Sequence, residues 1–451
     1  MSAPDSRTRS SLRTALLALI LALIGAGSMA YYHLGIFMPN VLEARAAKGL
    51  GGGYAFGDDF YPVWLTTRRC LPQRCDLYSA HMTREIQIGL FGRALDANIS
   101  TDPPIDYRSL AYPAFTDILF APAAVLEFHT LRMMLAVLLP LLTAVSVWLW
   151  LLAMGWRPAP VWMAVIIPLA LCNYPVLEAL FAEQPGLVVG FLLAGAILAL
   201  RRNRPLLAGI FMALTTVKPQ MTLLAIFFLL FRSLYEHKAG IRFIAGFSAS
   251  MILLLGTSLL LWPHWIGSWM AIVFGYHRYS TPPLVIEILG SDIGPRFGPV
   301  LIAALLVFAV ALAWRARRVA VNSPDFWLTL SLLLAITSVT ILPGQAVYDH
   351  IILFPGILLL IQQWRDMNTR PTFRGLQAIA AAALVWPWMA ACGLLIARHW
   401  LTSEVFYSTA VFTLPIRTAA SFPFAVLALL ALSLRMRQRI QADPSSFPEL
   451  T

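Results

Sequence analysis

The sequence predicts an all-α, polytopic membrane protein, and three observations carry that prediction. Of 451 residues, 59% are hydrophobic and only 12% charged, with mean hydropathy +0.73, whereas soluble domains carry about 25% charged residues. The apolar residues come in runs near the roughly 20 residues that a spanning helix needs, not in the short alternating strands of a membrane barrel. The basic residues collect in short clusters between those runs, the pattern of cytoplasmic loops. That clustering also accounts for the net charge of +11 without a nucleic-acid surface: of 33 basic residues only Lys48, Lys218 and Lys238 are lysines.

The elements follow in order. Ser11 to Phe37 is a basic start followed by an apolar run too long for the core of a cleaved signal peptide. It predicts a retained first helix over about 13–36, with Arg7, Arg9 and Arg13 placing the N-terminus inside. Segment 38–129 then forms a large first outer loop. Within it, Tyr112 to Phe128 is apolar but short and carries Asp117 and Glu127, which predicts a juxtamembrane or half-inserted helix. Helices follow at about 131–153, 159–173 and 185–200, with a polar link from Asn173 to Gln184 and a closing Arg201-Arg202-Asn203-Arg204.

The run 205–231 is broken by Lys218-Pro219-Gln220, so it is either one kinked span or two short helices. The basic residues favour two passes. Arg232, Lys238 and Arg242 then lie inside, as do the clusters Arg315, Arg317, Arg318 and Arg365, Arg370, Arg374 and Arg435, Arg437, Arg439; one pass would turn all of them outward, against the positive-inside bias. Later helices are expected at about 243–262, 296–314, 325–342, 351–363, 376–397 and 419–434. The expectation is about 12 spans, give or take two, in one domain over 1–441, with both termini cytoplasmic and a disordered tail at 442–451.

This topology opens four polar breaks on one face: the outer loop, Glu183-Gln184, Lys218-Pro219-Gln220, and Gln345 to His350. In the outer loop, Asp58-Asp59 is followed by Phe60-Tyr61-Pro62-Val63-Trp64. Such a pair either solvates a loop or supplies a base that deprotonates an acceptor hydroxyl, a contribution of about 10²–10⁴ in rate. Lys218 either snorkels to the interface or, beside a helix-breaking proline, stabilises a phosphate in a low-dielectric cleft. An ionisable residue at depth costs about 2.5–3.5 kcal/mol on insertion scales and is a functional candidate by default. Tyr348-Asp349-His350 is a helix start, or a phosphate contact in which Asp349 or another acceptor fixes the His350 tautomer. Glu183 and Gln184 end a turn or line the site. No repeated His/Asp spacing favours a metal, and Gly51-Gly52-Gly53 lacks the strand-to-helix context of a phosphate loop. An outward site without a nucleotide motif calls for a donor that arrives through the bilayer. Outside the cytoplasm Cys70 and Cys75 are placed where a disulfide is favoured; two free thiols are the alternative.

With these positions fixed, the chain resembles the polyprenol-phosphate-sugar-dependent glycosyltransferases of the GT-C fold. It is most similar to glycosyltransferase family 87, also called DUF2029, which includes mycobacterial phosphatidylinositol mannosyltransferases. The resemblance runs over about 55–365. It rests on Asp59-Phe60, Asp76-Leu77-Tyr78, Tyr112-Pro113, Pro175-Val176-Leu177 through Glu183-Gln184, Lys218-Pro219-Gln220 and Tyr348-Asp349-His350, in that order. Glu183 stands where the family usually has Gly, and Ala114 where it has a second Pro. The Asp doublet leaves the choice of base open, and Phe60 favours Asp59.

The resemblance implies an inverting hexosyltransferase that moves a sugar, typically mannose, from polyprenyl phosphate to an acceptor hydroxyl on the outer face of the cytoplasmic membrane. Asp59 would be the base, with Asp58 beside it. Lys218 and His350 would bind the leaving phosphate, and Gln220, Gln184, Tyr348, Asp349 and Tyr112 would complete the substrate site. It implies no cofactor beyond the lipid-linked donor, and glycolipid or glycan acceptors as partners. A transporter or flippase of a lipid-linked glycan is the alternative, and a structural envelope subunit a third.

Overall fold

The computed structural model describes residues 6–51, 53, 59–364 and 371–442. Asp58 and the tail 443–451 lie outside the described residues, as do Arg365 and Arg370. Among the described residues the secondary structure is helical, with one isolated bridge between Pro283 and Pro343 and no strand.

The first helix is longer than expected. α1 (Ser6–Ala30) passes through a π-helical turn (Tyr31–Phe37) into α2 (Met38–Ala47) without stopping near residue 36. The π turn ends two residues before Pro39, whose ring removes the N–H that an α-helical bond to Gly35 needs; widening the helix there absorbs the loss.

The segment expected as the first outer loop is a packed cap of helices, with more than one juxtamembrane helix. α3 (Tyr61–Gln73) buries Tyr61, Val63, Trp64 and Leu65. Trp64 Nε1 donates to the Leu126 carbonyl at 3.0 Å, and Phe128 packs against the Tyr61 and Trp64 rings. Cys70 and Cys75 are joined by a disulfide at the turn that follows. Ser79 then caps α4 (Ala80–Phe91) by accepting from the Met82 N–H. The expected helix at 112–128 is broken in two: α5 (Phe115–Leu119) and a 3₁₀ turn (Ala121–Val125). Pro122 sits inside that run, where its ring blocks an α-helical bond and clashes one turn back.

The membrane part follows: α6 (Phe128–Met154), α7 (Pro160–Leu171), α8 (Tyr174–Phe181), α9 (Gly186–Arg201), α10 (Pro205–Leu214), α11 (Pro219–Ser233), α12 (His237–Leu261), α13 (Trp265–Gly275), α14 (Leu284–Ile288), α15 (Gly290–Arg315), α16 (Pro324–Thr340) and α17 (Phe354–Gln362). The helices Pro371–Ala397 and Ser421–Ala442 close the chain. Among the described residues, six helices are long and apolar enough to cross a membrane, or seven with α7 and α8 as one span bent by 58°. Five further apolar helices are of only 10–17 residues. The protein is therefore a polytopic helical membrane protein.

The polar link expected at 173–184 is mostly helix. Asn173 accepts from the Val176 N–H, and Pro175 occupies the first turn, so the same residues that end α7 start α8. α10 and α11 are separate helices, divided at Thr215–Lys218.

α16 is buried on every side, from Phe326 to Thr340, as a helix that is apolar all round should be. α12 and α15 leave large apolar side chains exposed, among them Ile252, Leu260, Val300 and Val307; these are the surfaces suited to lipid. α10 and α12 approach closely through Gly209 and Gly246, where a Cβ would collide with the Phe243 and Leu206 carbonyls at 2.2 Å. Small residues permit such contacts between membrane helices. α13 and the turn after it (Tyr276–Arg278) lie against the cap: Trp269 Nε1 donates to the Ala111 carbonyl at 2.9 Å, and Arg278 pairs with Asp106 at 2.9 Å.

Candidate active site

Asp59 stands just before α3, whose N-terminus is set by Pro62 in the first turn. Its N–H donates to the Ala182 carbonyl at 3.3 Å, which docks the start of the cap onto the turn between α8 and α9. Its carboxylate is held from two sides. The Arg108 guanidinium pairs with Oδ1, and the Gln184 side-chain amide donates to Oδ2.

Gln184 passes the connection on. Its Oε1 accepts from Lys218 Nζ at 2.9 Å and, more weakly, from the Tyr112 hydroxyl at 3.4 Å. Lys218 Nζ in turn donates to Asp349 Oδ1 at 2.6 Å and lies 4.6 Å from the centre of the Tyr348 ring. The cluster is thus a carboxylate, an amide, an ammonium and a second carboxylate joined in series. Asp59 keeps 16% side-chain exposure, against 7% for Lys218 and 1% for Asp349. The series therefore runs from a reachable acid to a buried ion pair.

Local backbone features make the series possible. Lys218 ends the 3₁₀ turn Thr215–Val217 and precedes Pro219, so its side chain leaves the helix axis at the break. Gly186 lets Asp349 approach: a Cβ there would stand 2.8 Å from Asp349 Oδ1. Glu183 takes φ +48°, the left-handed region that glycine occupies without strain, at the position where the family resemblance expects Gly. Its carboxylate is buried and faces Arg132 at 3.9 Å.

Of the residues singled out by sequence, the structure joins Asp59, Tyr112, Gln184, Lys218, Tyr348 and Asp349. His350 is buried behind them, hydrogen-bonded to the Ser338 backbone, with no hydrogen-bond partner for Nε2 among the described residues. Gln220 lies half-buried in the first turn of α11 and makes no hydrogen bond to the cluster among the described residues.

Two members were not found from sequence. Arg108 has φ +68° and brings its guanidinium to Asp59; in sequence it is one basic residue in a long polar segment, with nothing local to mark it. Tyr276, just past α13, feels the charges of Asp59 and Asp349; burial first, and those charges next, push its hydroxyl up to about 12. Burial likewise pushes the Tyr112 hydroxyl well above its usual value, with Asp59 and Asp349 adding to the effect. Both tyrosines therefore remain neutral donors at physiological pH. The signal for Tyr276 was its aromatic cluster with His277, Arg278 and Tyr279 in an outer connection.

A membrane-embedded helical frame that holds an accessible carboxylate beside a buried ammonium suits group transfer at a membrane surface. The sequence model of glycosyltransferase family 87 matches residues 110–343. That is more than half of the chain, and the protein belongs to this family: it is a membrane-embedded glycosyltransferase. The matched stretch contains Tyr112, Gln184, Lys218 and Tyr276, whereas Asp59, Arg108 and Asp349 lie outside it. No curated protein matches the chain.

Proposed function

We propose that the protein is an inverting hexosyltransferase that moves a sugar, mannose in the typical case, from polyprenyl phosphate to an acceptor hydroxyl at the outer face of the cytoplasmic membrane. The observation that carries this reading is the bridge made by Gln184. One side-chain amide touches the carboxylate of Asp59 and the ammonium of Lys218, so an acid and a cation are fixed a few ångströms apart on either side of it. Inverting transfer needs that pair on opposite sides of the anomeric carbon.

In this mechanism the acceptor oxygen attacks the anomeric carbon while its proton passes to Asp59. The bond from the anomeric carbon to the phosphate oxygen breaks, and the electron pair leaves with polyprenyl phosphate. A single displacement inverts the centre, as in hydrolases that act by one step. Arg108 and Gln184 keep Asp59 aimed. Lys218 exchanges part of its contact with Asp349 for the developing phosphate charge, the kind of stabilisation that grows most in a low-dielectric site. The unpartnered Nε2 of His350 is the second group assigned to that phosphate.

The test is transfer by purified protein in lipid, read as free polyprenyl phosphate released from polyprenyl-phosphate mannose. Asp59→Asn is expected to lower the rate by about 10²–10⁴ with thermal stability retained. Full activity after replacing both Asp58 and Asp59 by Asn would remove Asp59 from the mechanism.

A further inference from the structure

The π-helical turn that interrupts the first helix borders a cavity away from the Asp59 cluster. It has a volume of about 420 Å³; the N-terminal helix lines it with Tyr31, Asn40 and Glu43 and, between them, the smaller apolar surfaces of Gly35, Ile36 and Pro39, and the connection after the helix Pro371–Ala397 adds Arg398 and Tyr407. π turns inside α-helices are frequent at functional sites.

The walls are fixed. The Tyr31 ring lies over Gly35, where a Cβ would meet it at 3.1 Å. Tyr32, the next residue, is fully buried and donates from its hydroxyl to the Phe412 carbonyl at 2.6 Å, tying the two walls together. Arg398 lies over the Phe406 ring at 5.6 Å, and Phe406 packs edge-on against Tyr407. Tyr31 and Tyr407 nevertheless remain 57% and 45% exposed. Two rigid aromatic faces are therefore held open to the cavity beside one acid, one guanidinium and one carboxamide.

That lining selects a chemistry. The acid and guanidinium balance in charge, so a phosphate or other strong anion gains little. The polar groups make an alkyl chain a poor occupant. An uncharged ligand with many hydroxyls and apolar C–H faces satisfies both halves, since an exposed tyrosine offers an apolar body with a polar tip, and Glu, Arg and Asn supply acceptors and donors. We propose that this cavity is a glycan subsite, and that it holds a sugar unit of the acceptor remote from the one that reacts. The proposal rests on the transferase reading above.

The geometry also links the cavity to the reacting centre. On the opposite face of the π turn, His33 Nε2 meets Glu178 of α8 at 2.8 Å. From Glu178 the last turn of α8 leads to Gln184, whose N–H closes back on the Ala179 carbonyl at 2.8 Å. A glycan seated against Tyr31 thus rests on the same turn of helix that positions α8 and its connection to Asp59.

The test uses the full chain in lipid nanodiscs and calorimetric titration with trisaccharides of mannose, glucose and galactose, each free and on a dodecyl anchor. Wild type and Asp59→Asn are expected to bind at least one of them equally well. Tyr407→Ala and the isosteric, surface-located Glu43→Gln are expected to weaken that binding at least about tenfold. Both variants should also raise KM for a trisaccharide acceptor while leaving the rate at saturation unchanged. Tighter binding of the anchored form assigns the pocket to a lipid-borne acceptor, and equal binding to a free glycan. Absence of binding to wild type, or binding that Glu43→Gln leaves unchanged, overturns the proposal. Trisaccharide binding without any release of polyprenyl phosphate breaks the donor assignment alone, and the reverse pattern breaks the glycan subsite alone.

Discussion

The two ends of α11 present the same chemistry with opposite logic. At its last turn Arg232 is buried and pairs with Glu236, four residues on, while its Nε donates to the Val319 carbonyl at 3.0 Å. A cation there complements the helix dipole, worth about 0.3–1 kcal/mol, and its acid stands just beyond the helix end, in the turn before α12. At the first turn Lys218 is also buried, but it stands at the positive end of the dipole. Its partners lie 34 and 131 residues away in sequence. Arg232 is where a stable helix wants a cation. Lys218 is where it does not, and the fold brings Gln184 and Asp349 from other helices to hold it. A charge placed against local preference and compensated only by tertiary contacts is the mark of a site that serves chemistry.

The comparison can be broken most directly at Lys218. Lys218→Met with Asp349→Asn removes both charges of the buried pair together. Transfer is expected to fall by about 10²–10³, with thermal stability near that of wild type, because replacing a whole buried ion pair is often neutral or stabilising. Lys218→Met alone leaves Asp349 buried without its cation and is expected to cost about 3–5 kcal/mol of stability. If the double variant keeps full transfer, the two ends of α11 are alike after all and Lys218 is structural.

The opposite end should give the opposite result. Arg232→Met is expected to cost about 2 kcal/mol, less than a fully buried pair because Glu236 is one-third exposed. The rate per folded molecule should not change. A loss of rate at Arg232 in protein shown by thermal melting to be folded would contradict this division of roles.

A third buried group sharpens the contrast by pH. In the cap, Asp117 is fully buried and accepts from the Thr66 and Thr67 hydroxyls at 2.6 and 3.0 Å, with no cation among its described partners. Burial pushes its carboxyl up from 3.8 to about 7, against the pull of those hydroxyls. Between those values the folded chain holds a proton that the unfolded chain has lost, so stability falls as pH rises through that window. Asp117→Asn, neutral throughout, should flatten this part of the melting-temperature profile between pH 4 and 8. The slope should persist in Asp59→Asn, because Asp59 is a different acid in a more open, paired setting.

Much of this was legible in the sequence because it depends on local pattern. Apolar runs located the helices, and Lys218-Pro219-Gln220 located the break between α10 and α11. Asp59, Gln184, Lys218 and Asp349 each stood out as a polar residue at a break or rim, and the family resemblance put them in order. The misses are long-range or depend on one backbone angle. Arg108 looked like a loop cation, and only its approach to Asp59, with φ +68°, gives it a partner. Tyr276 followed a stretch with no expected helix, where α13 packs against the cap through Trp269. The helix expected at 112–128 was read from its apolarity, and Pro122 overruled it.

The sequence by itself determined that this protein lives in a membrane and which polar residues interrupt its helices, since both follow from hydropathy, charge and chain-breaking prolines. Tertiary structure decided which of those residues meet. Gln184 joins Asp59 to Lys218, and Gly186 makes room for Asp349, because three helix breaks far apart in the chain fold into contact. The free energy of such a cluster belongs to the contacts across helices, and no local propensity encodes them.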